Sequence, residues 1–409
     1  MKARYPLVVG LDIGTTKICV VVAGAEEIGI NILGVGTHPS KGLRKGVIIN
    51  IETTVTSIKR ALDDAALMSG GDIQSVYASI SGGHIKSFNS HGMVALRGAE
   101  VMSKDVDRVR EAASAVAIPT DREILHVLPY EYIVDEQRGI RDPIGMTGVR
   151  LEVNCHIVTA AASSISNTVK CANEVGLHVD EVVFGPFASA LPVLTEQERD
   201  VGAVVVDIGG GTSDIAVFHE GAMVHSAVLA LGGGHITNDI AHGLRVTAYP
   251  TAENLKVKYG SALAADIDPH EDIEIQEAGA REQRWIARQI LCEIIEQRCD
   301  EILRLIRSEL EDAGYLDVAQ TGLVITGGCA NLPGIERLAE HVFNTHARIG
   351  VPTGITGHVD LVGDPGFASA VGLAVYGKNN MKGQKRKPGS GVRIDKTFTK
   401  VKEWLKEFF

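Results

Sequence analysis

Three consecutive glycines, Gly209, Gly210 and Gly211, precede Thr212 and Ser213 and sit between two runs rich in β-branched residues, Val204–Ile208 and Ile215–Phe218. Such residues favour strands, so the stretch reads as strand, tight turn, strand. Glycine lets backbone N–H groups approach an anion, and the two hydroxyls add donors. Asp207, closing the first strand, suits a hydrated divalent cation beside that anion. A diphosphate with Mg²⁺ fits the set. Taken alone, the stretch is equally compatible with a glycine-rich hairpin that only reverses the chain.

The layout occurs twice. Leu7–Ala23 carries Asp12-Ile13-Gly14 where the later copy has Asp207-Ile208-Gly209, and Thr15, Thr16 and Lys17 complete its turn before another apolar run. Two such hairpins in separate halves predict a duplicated α/β domain, with a cleft between the copies that grips one ligand from both sides. Neither turn leads into a helix as a Rossmann fingerprint would, and no P-loop pattern occurs. A third stretch, Leu323–Ile335, places Gly327 and Gly328 after a short apolar run, with Asn331 following. Bare backbone there lets a flat base or ribose lie close.

The elements that position these turns follow in order. Ile28–Gly36 reads as a strand and Lys41–Gly46 as a basic loop. Val55, Ile58, Leu62 and Ala66 predict a helix over Ile51–Ser69, and a strand follows at Val76–Ser81. Residues 83–164 lack any phosphate motif and read as an inserted α+β module, with a helix over Ser103–Val116. Val149, Leu151, Val153, Cys155 and Ile157 alternate, predicting a strand buried on one face. Helices are expected at Ser166–Val175 and from Phe184. Another follows Gly233 and Gly234 with Thr237 or Asn238 as its cap, and one more opens at Thr251. Glu271–Gln276 suggests a short strand. Arg281–Leu310 reads as one long helix with Trp285, Ile290, Ile294, Leu303 and Ile306 inward and Arg284, Arg288, Arg298 and Glu301 outward.

Bulk properties bound the function. The chain has 409 residues and 45% hydrophobic residues, enough for two or more cored domains. Six cysteines show no metal-binding spacing and fit a reducing cytosol. Residues 378–409 carry ten Lys or Arg against three acids, so the tail is +7 and, with −11 for the whole chain, the remainder is −18. A body so acidic argues against nucleic acid, and the tail against a neutral partner. No cleavage site follows the N-terminal apolar run, and no stretch approaches the roughly 18 apolar residues of a membrane span. In the tail, Asp395 can cap a helix whose Phe398, Val401, Trp404, Leu405, Phe408 and Phe409 form one apolar stripe flanked by lysines. That pattern predicts an in-plane anchor on anionic membrane lipid.

The three glycine stretches, in this order, resemble the actin superfamily of ATP-binding proteins. In detail the chain resembles the FtsA family of bacterial cell-division proteins over essentially its whole length. Asp142-Pro143-Ile144-Gly145-Met146, with Gly148 and Arg150-Leu151-Glu152, looks like the signature of that family's inserted subdomain, called 1C. Phe184–Leu191 and Asp364–Ala374 resemble the superfamily's two connecting helices. The resemblance implies an α/β, actin-like fold: two duplicated RNase-H-like domains around an ATP cleft, with the insertion and a C-terminal amphipathic helix. Its subdomains would be 1A (1–82, 165–198 and 364–380), 1C (83–164), 2A (199–232 and 311–363) and 2B (233–310). A basic linker (381–394) and the membrane helix (395–409) would follow.

The site residues follow from the same resemblance. Gly14, Thr15, Thr16 and Lys17 would hold the β- and γ-phosphates of ATP from one side, and Gly209–Thr212 from the other. Gly233, Gly234, Glu253, Lys256, Gly327, Gly328 and Asn331 would line the nucleoside. Asp12 and Asp207 would serve Mg²⁺ through water. Gly185 stands where relatives carry a water-orienting glutamate, so ATPase activity would be weak and no catalytic residue is assigned. Implied partners are the FtsZ C-terminal tail, near Arg284, Arg288, Arg298 and Glu301, further copies of the chain in filaments, and later divisome proteins such as FtsN. The place would be the cytoplasmic face of the inner membrane at the septum. Two other branches are open, a metabolite kinase and an Hsp70-type chaperone. The insertion offers no obvious substrate base for the first, and only a linker and short helix stand where the second has a substrate domain.

Overall fold

The computed structural model describes residues 5–246, 248–276 and 283–384. The expected membrane helix over 395–409, and most of the linker before it, lie outside the described residues.

Each glycine hairpin belongs to its own sheet. In the first, Leu7–Ile13, Lys17–Ala25 and Ile30–Pro39 run antiparallel in succession. Ser75–Ile80 and then His178–Phe184 join in parallel on the far side of Leu7–Ile13. The second sheet repeats the pattern with Ala203–Ile208, Ser213–His219 and Ala222–Leu229, followed by the parallel strands Leu323–Thr326 and Ala347–Ile349. Both sheets run third, second, first, fourth, fifth, which is the RNase-H-like order, and the first adds Ile355–Gly357 at its edge. The duplication expected from two short motifs therefore extends to the whole topology. Ile18–Ala23 and Ala203–Val206 are fully buried because layers cover both faces of each sheet.

Two helices cross between the sheets, Gly185–Val193 and Ala368–Gln384. Their small residues bring backbones together: a Cβ on Gly372 would lie 1.9 Å from the Ala188 carbonyl oxygen, and one on Gly10 would lie 2.3 Å from that of Ala370. Strand, helix and helix are thereby stacked with almost no side chain between them.

The inserted module emerges after Ser81. Its sheet runs Lys86–Ala95, Arg150–Ala161, Arg122–Val134, Gln137–Ile140. The helix Ser103–Ser114 covers one face, where Leu151, Val153, Cys155 and Ile157 are buried as expected. The opposite face was expected to meet solvent and does not. Glu152 and His156 are buried there too: Glu152 is met by His91 of the neighbouring module strand (2.8 Å), and His156 by the edge strand Ala222–Leu229 of the second sheet, on which the module packs. His156 lies 2.7 Å from Asn89 Oδ1 within the module and 2.9 Å from Ser226 Oγ across that junction. Burial pushes its pKa down to about 3, so it is neutral, with one ring nitrogen donating and the other accepting.

Two further expectations are corrected. The helix after the second hairpin starts at Gly233, with Gly232 as cap, so Thr237 is an interior, fully buried residue and Asn238 does not cap. Nor is Arg281–Leu310 one helix: Gln283–Ala287 is a strand paired with Asp272–Gln276, and the helix spans Arg288–Asp312. Its buried face is Leu291, Ile295, Cys299, Ile302, Leu303 and Ile306, spaced by three or four. Trp285 and Ile290, expected inward, are 66% and 46% exposed: Trp285 lies on the strand, and Ile290, in the first turn of the helix, falls off the buried face that starts at Leu291.

The crossing at Gly372 gives a sign test. Gly-to-Ala inside a helix ordinarily stabilises by roughly 1 kcal/mol. Here the added carbon meets a carbonyl oxygen, so Gly372→Ala should destabilise by about 1–3 kcal/mol in denaturant unfolding. A stabilised variant would contradict the packing.

Candidate functional site

Both turns close in the same way. The Gly14 amide donates to the Lys17 carbonyl (3.1 Å) and the Gly209 amide to that of Thr212 (2.9 Å). The next two amides in each turn, Thr15–Thr16 and Gly210–Gly211, have no hydrogen-bond partner among the described residues. On the second turn the first amides of the helix at Gly233 set the orientation: Gly233 N donates to Gly209 O (2.9 Å) and Gly234 N to Gly210 O (2.7 Å). Capturing those carbonyls leaves the turn's own amides on the other side, towards the cleft. The turns face each other closely, for a Cβ on Gly210 would lie 2.2 Å from Thr16 Cγ2 and one on Gly211 2.5 Å from Thr15 Oγ1.

Three carboxylates lie behind the turns, each held by hydroxyls. Ser79 Oγ donates to Asp12 (2.7 Å), Ser369 Oγ to Asp207 (3.3 Å), and Ser81 Oγ to Asp214 (2.7 and 2.8 Å). Ser189, on the other connecting helix, lies near Asp207 as well, while its own Oγ donates to Pro186 O (3.3 Å). Burial pushes all three pKa values up. Asp207 reaches about 6, raised further by Asp12, and Asp214 about 8, raised further by Asp207. Lys17 partly opposes the shift at Asp12 and Asp207; its Nζ donates to Gly366 O (2.8 Å) and sits 3.8 Å above the Phe367 ring.

The cleft between these groups holds about 130 Å³, below the roughly 300–1,000 Å³ of a site enclosing a whole small molecule. That volume is too small to enclose a whole nucleotide. Its donors are hard oxygens, and among the described residues no three His, Cys, Asp or Glu are grouped to cage a metal. That set fits Mg²⁺ held through its water shell beside phosphate oxygens, which is how this ion is usually bound.

Every residue expected at the phosphates and the metal lines the slot, Asp12, Gly14, Thr15, Thr16 and Lys17 from the first half and Asp207 and Gly209–Thr212 from the second, and Gly327 and Gly328, expected at the nucleoside, line it too. Ser213, read as another donor, instead gives its hydroxyl to Leu231 O and is fully buried. Gly233 and Gly234 act behind the slot, as braces of the second turn. Gly327 (φ +86°) lies so near Asp207 that a Cβ would meet Oδ1 at 2.3 Å, while the space over Gly328 is open. Asn331 is exposed and donates to Asp364 (2.8 Å), which in turn accepts from the amide of the slot residue Gly366 (2.7 Å). Glu253 and Lys256 are no simple surface pair. Glu253 accepts from Thr237 Oγ1, and Lys256 reaches Gly233 O (3.0 Å) at the helix start.

Sequence reasoning missed Ser79, Ser81, Gly46, Gly366 and Ser369, which no motif marks, and Asp214, which it could have found. Asp214 ends the motif and pairs directly across from Asp207. The outer arginines do not share one free face. Arg288 is bound to Glu271 (2.8 Å) and Tyr259 O (2.8 Å), Arg298 to Asp239 and Glu301, and Arg284 lies on the strand and donates to Leu244 O.

Comparison with known proteins agrees with this architecture. The family described as "Cell division protein FtsA" matches residues 204–372, and that described as "SHS2 domain inserted in FTSA" matches 82–159. The cell division protein FtsA of Pseudomonas aeruginosa is 46% identical, over 91% of this chain and 89% of that protein. That of Borreliella burgdorferi is 42% identical over 98% and 99%, and that of Escherichia coli K12 is 41% identical over 91% of each. Among solved structures, the PilM-PilN type IV pilus biogenesis complex superposes with a TM-score of 0.66 at 17% identity, covering 91% of this chain and 98% of that one. MreB 5 of Spiroplasma citri bound to AMPPNP gives 0.59 at 15%, covering 93% and 98%. These two share the actin-like fold.

The facing turns predict the effect of filling their gap. Gly210→Val should wedge against Thr16 and hold the two halves apart, weakening binding of a fluorescent ATP analogue roughly ten- to hundredfold. Circular dichroism should remain that of the parent. Unchanged affinity in a folded variant would mean the turns do not share a ligand.

Proposed function

The chain belongs to the FtsA family of cell-division proteins, with their actin-like fold, and we propose that it works as an ATP-dependent membrane scaffold. ATP with Mg²⁺ lies between the hairpins, filaments form through actin-like contacts between copies, and FtsZ is tethered to the cytoplasmic face of the membrane at the septum. Later division proteins such as FtsN join through the inserted module. The observation that carries the reading is the slot itself: two like turns present free amides to one point, with hydroxyl-held carboxylates behind them. A phosphate chain satisfies the amides, and Mg²⁺ supplies the positive charge that offsets both phosphates and carboxylates. The subdomains follow the division given above, 1A and 1C, 2A and 2B.

Nucleotide here is mainly a switch. Gly185 opens its helix at the slot, and the nearest atoms to a Cβ there would be Ile80 O and Ser81 Cβ, each at 3.6 Å. That helix end therefore offers no side chain to orient an attacking water. Turnover by the purified protein should stay well below the roughly 1–1,000 per second of ordinary enzymes. Many turnovers per second would overturn the switch reading and favour a kinase or motor.

The FtsZ tail docks on the outer subdomain, around Arg284–Leu305. With Arg288 and Arg298 committed to carboxylates of their own subdomain, the contact rests on the exposed apolar side chains Trp285, Ile290 and Leu305. The arginines frame them. Trp285→Ala should weaken binding of an FtsZ tail peptide roughly tenfold or more, as loss of an aromatic anchor does, and leave ATP affinity alone. Peptide binding indifferent to this change would place the site elsewhere.

A further inference from the structure

The end of the first sheet that points away from the cleft collects exposed apolar tips. Ile28, in the turn between Lys17–Ala25 and Ile30–Pro39, is 91% exposed, the highest value among the large apolar residues described. Leu67 follows at 85%, next to Met68, in the last turn of the helix Ile51–Ser69. Contacts along these elements put both tips at one end. The helix begins beside the loop that reaches Gly46 in the slot, and it ends where Ser69 packs on Gly34 and Gly71 on Leu7. Leu7 in turn pairs with Gly24, four residues before Ile28.

The last helix leaves by the same end. It runs back along Leu7–Ile13, with Ala370 against Gly10 and Gly377 against Val8. Lys378 Nζ then donates to Gly29 O (2.6 Å), and Tyr376 and Asn380 bond Glu181 (2.7 and 3.2 Å). The residue bonded to Lys378 is the one after Ile28. The chain therefore sets out towards residues 395–409 from the end of the domain that carries Ile28.

We propose that this end of the first domain is a second membrane contact, in which Ile28, with Leu67 and Met68 beside it, enters the acyl boundary of the lipid surface that binds the tail. The proposal rests on the reading of the tail as an anchor. The two contacts differ in chemistry. The tail is +7, whereas the tips stand among exposed acids, Glu27, Asp63 and Asp64. Glu26 is turned back towards Asn31 (3.1 Å). The tips therefore bind by apolar burial and not by attraction to headgroups, so their contribution resists salt while that of the tail is screened.

The test uses the full chain with Ile28→Trp, and with Trp285 and Trp404 replaced by Phe so that one tryptophan reports. On vesicles of mixed anionic and zwitterionic phospholipid its emission should shift to the blue and be quenched by brominated acyl chains. In parallel, Ile28→Asp with Leu67→Asp should weaken vesicle co-sedimentation roughly tenfold, with the ratio between parent and variant maintained at high salt. Both positions are exposed, so the melting temperature should not change. Co-sedimentation with neither shift nor quenching overturns this proposal and leaves the tail reading standing. Full co-sedimentation of a chain cut after Gln384 overturns the tail reading and this one with it.

Discussion

Three carboxylates drawn into one narrow, partly dry slot are the constraint around which the rest is arranged. Each would be more stable in water, and each raises its neighbours' affinity for protons, as the upward shifts at Asp207 and Asp214 record. The fold tolerates them because each is met by a hydroxyl: Ser79 for Asp12 and Ser81 for Asp214, both from one strand end, and Ser369 of the second crossing helix for Asp207. Hydroxyls bond an anion without cancelling its charge. A site built this way keeps an unmet demand for a cation, and the free turn amides keep a matching demand for an anion. Metal and phosphate arriving together answer both.

How far apart the two halves stand is set by the crossing helices. At Gly372 and Ala188 there is no side chain to compress, so the helices meet at backbone contact and act as a stiff pivot. The serine that bonds Asp207, Ser369, lies on one of these helices. Any change in the charge around Asp207 is thus felt at the pivot itself. This is a physical route by which a bound nucleotide can bias the angle between the domains, with no separate relay needed.

The inserted module is tied to both halves. It is rooted in the first through Ser81 and Ala161, and it meets the second through His156 and Ser226, Ser87 and the Ser226 carbonyl, and Arg141 and Asp200 (2.9 Å). Beside these hydrogen bonds and the exposed ion pair, Tyr130 packs on the second domain's core, and Val158 and Leu128 share an apolar cluster with Met223 and Val228. A module so attached reports on the relative position of the halves while its own core, under the helix Ser103–Ser114, stays intact.

How much of this was legible depends on the range of the interactions. The two hairpins, the helix Ile51–Ser69, the inserted module and the glycine turns could be read directly, because turn chemistry and hydrophobic period are properties of neighbouring residues. Even the pairing of the halves followed from repetition of a short motif. What could not be read was whatever depends on residues distant in the chain. Ser79, Ser81 and Ser369 carry no local mark, and they matter only because folding brings them to Asp12, Asp214 and Asp207. Periodicity placed Trp285 inside a helix, but strand pairing with Asp272–Gln276 took it out of the helix and left it exposed. Gly233 and Gly234 were expected beside the nucleoside, and no local signal showed that their amides would bond the carbonyls of Gly209 and Gly210 and brace the second turn. The sequence determined which local pieces form and which chemistry they carry. Tertiary structure decided which of them meet, because a side chain's role is set by the partner it faces, and that partner lies elsewhere along the chain.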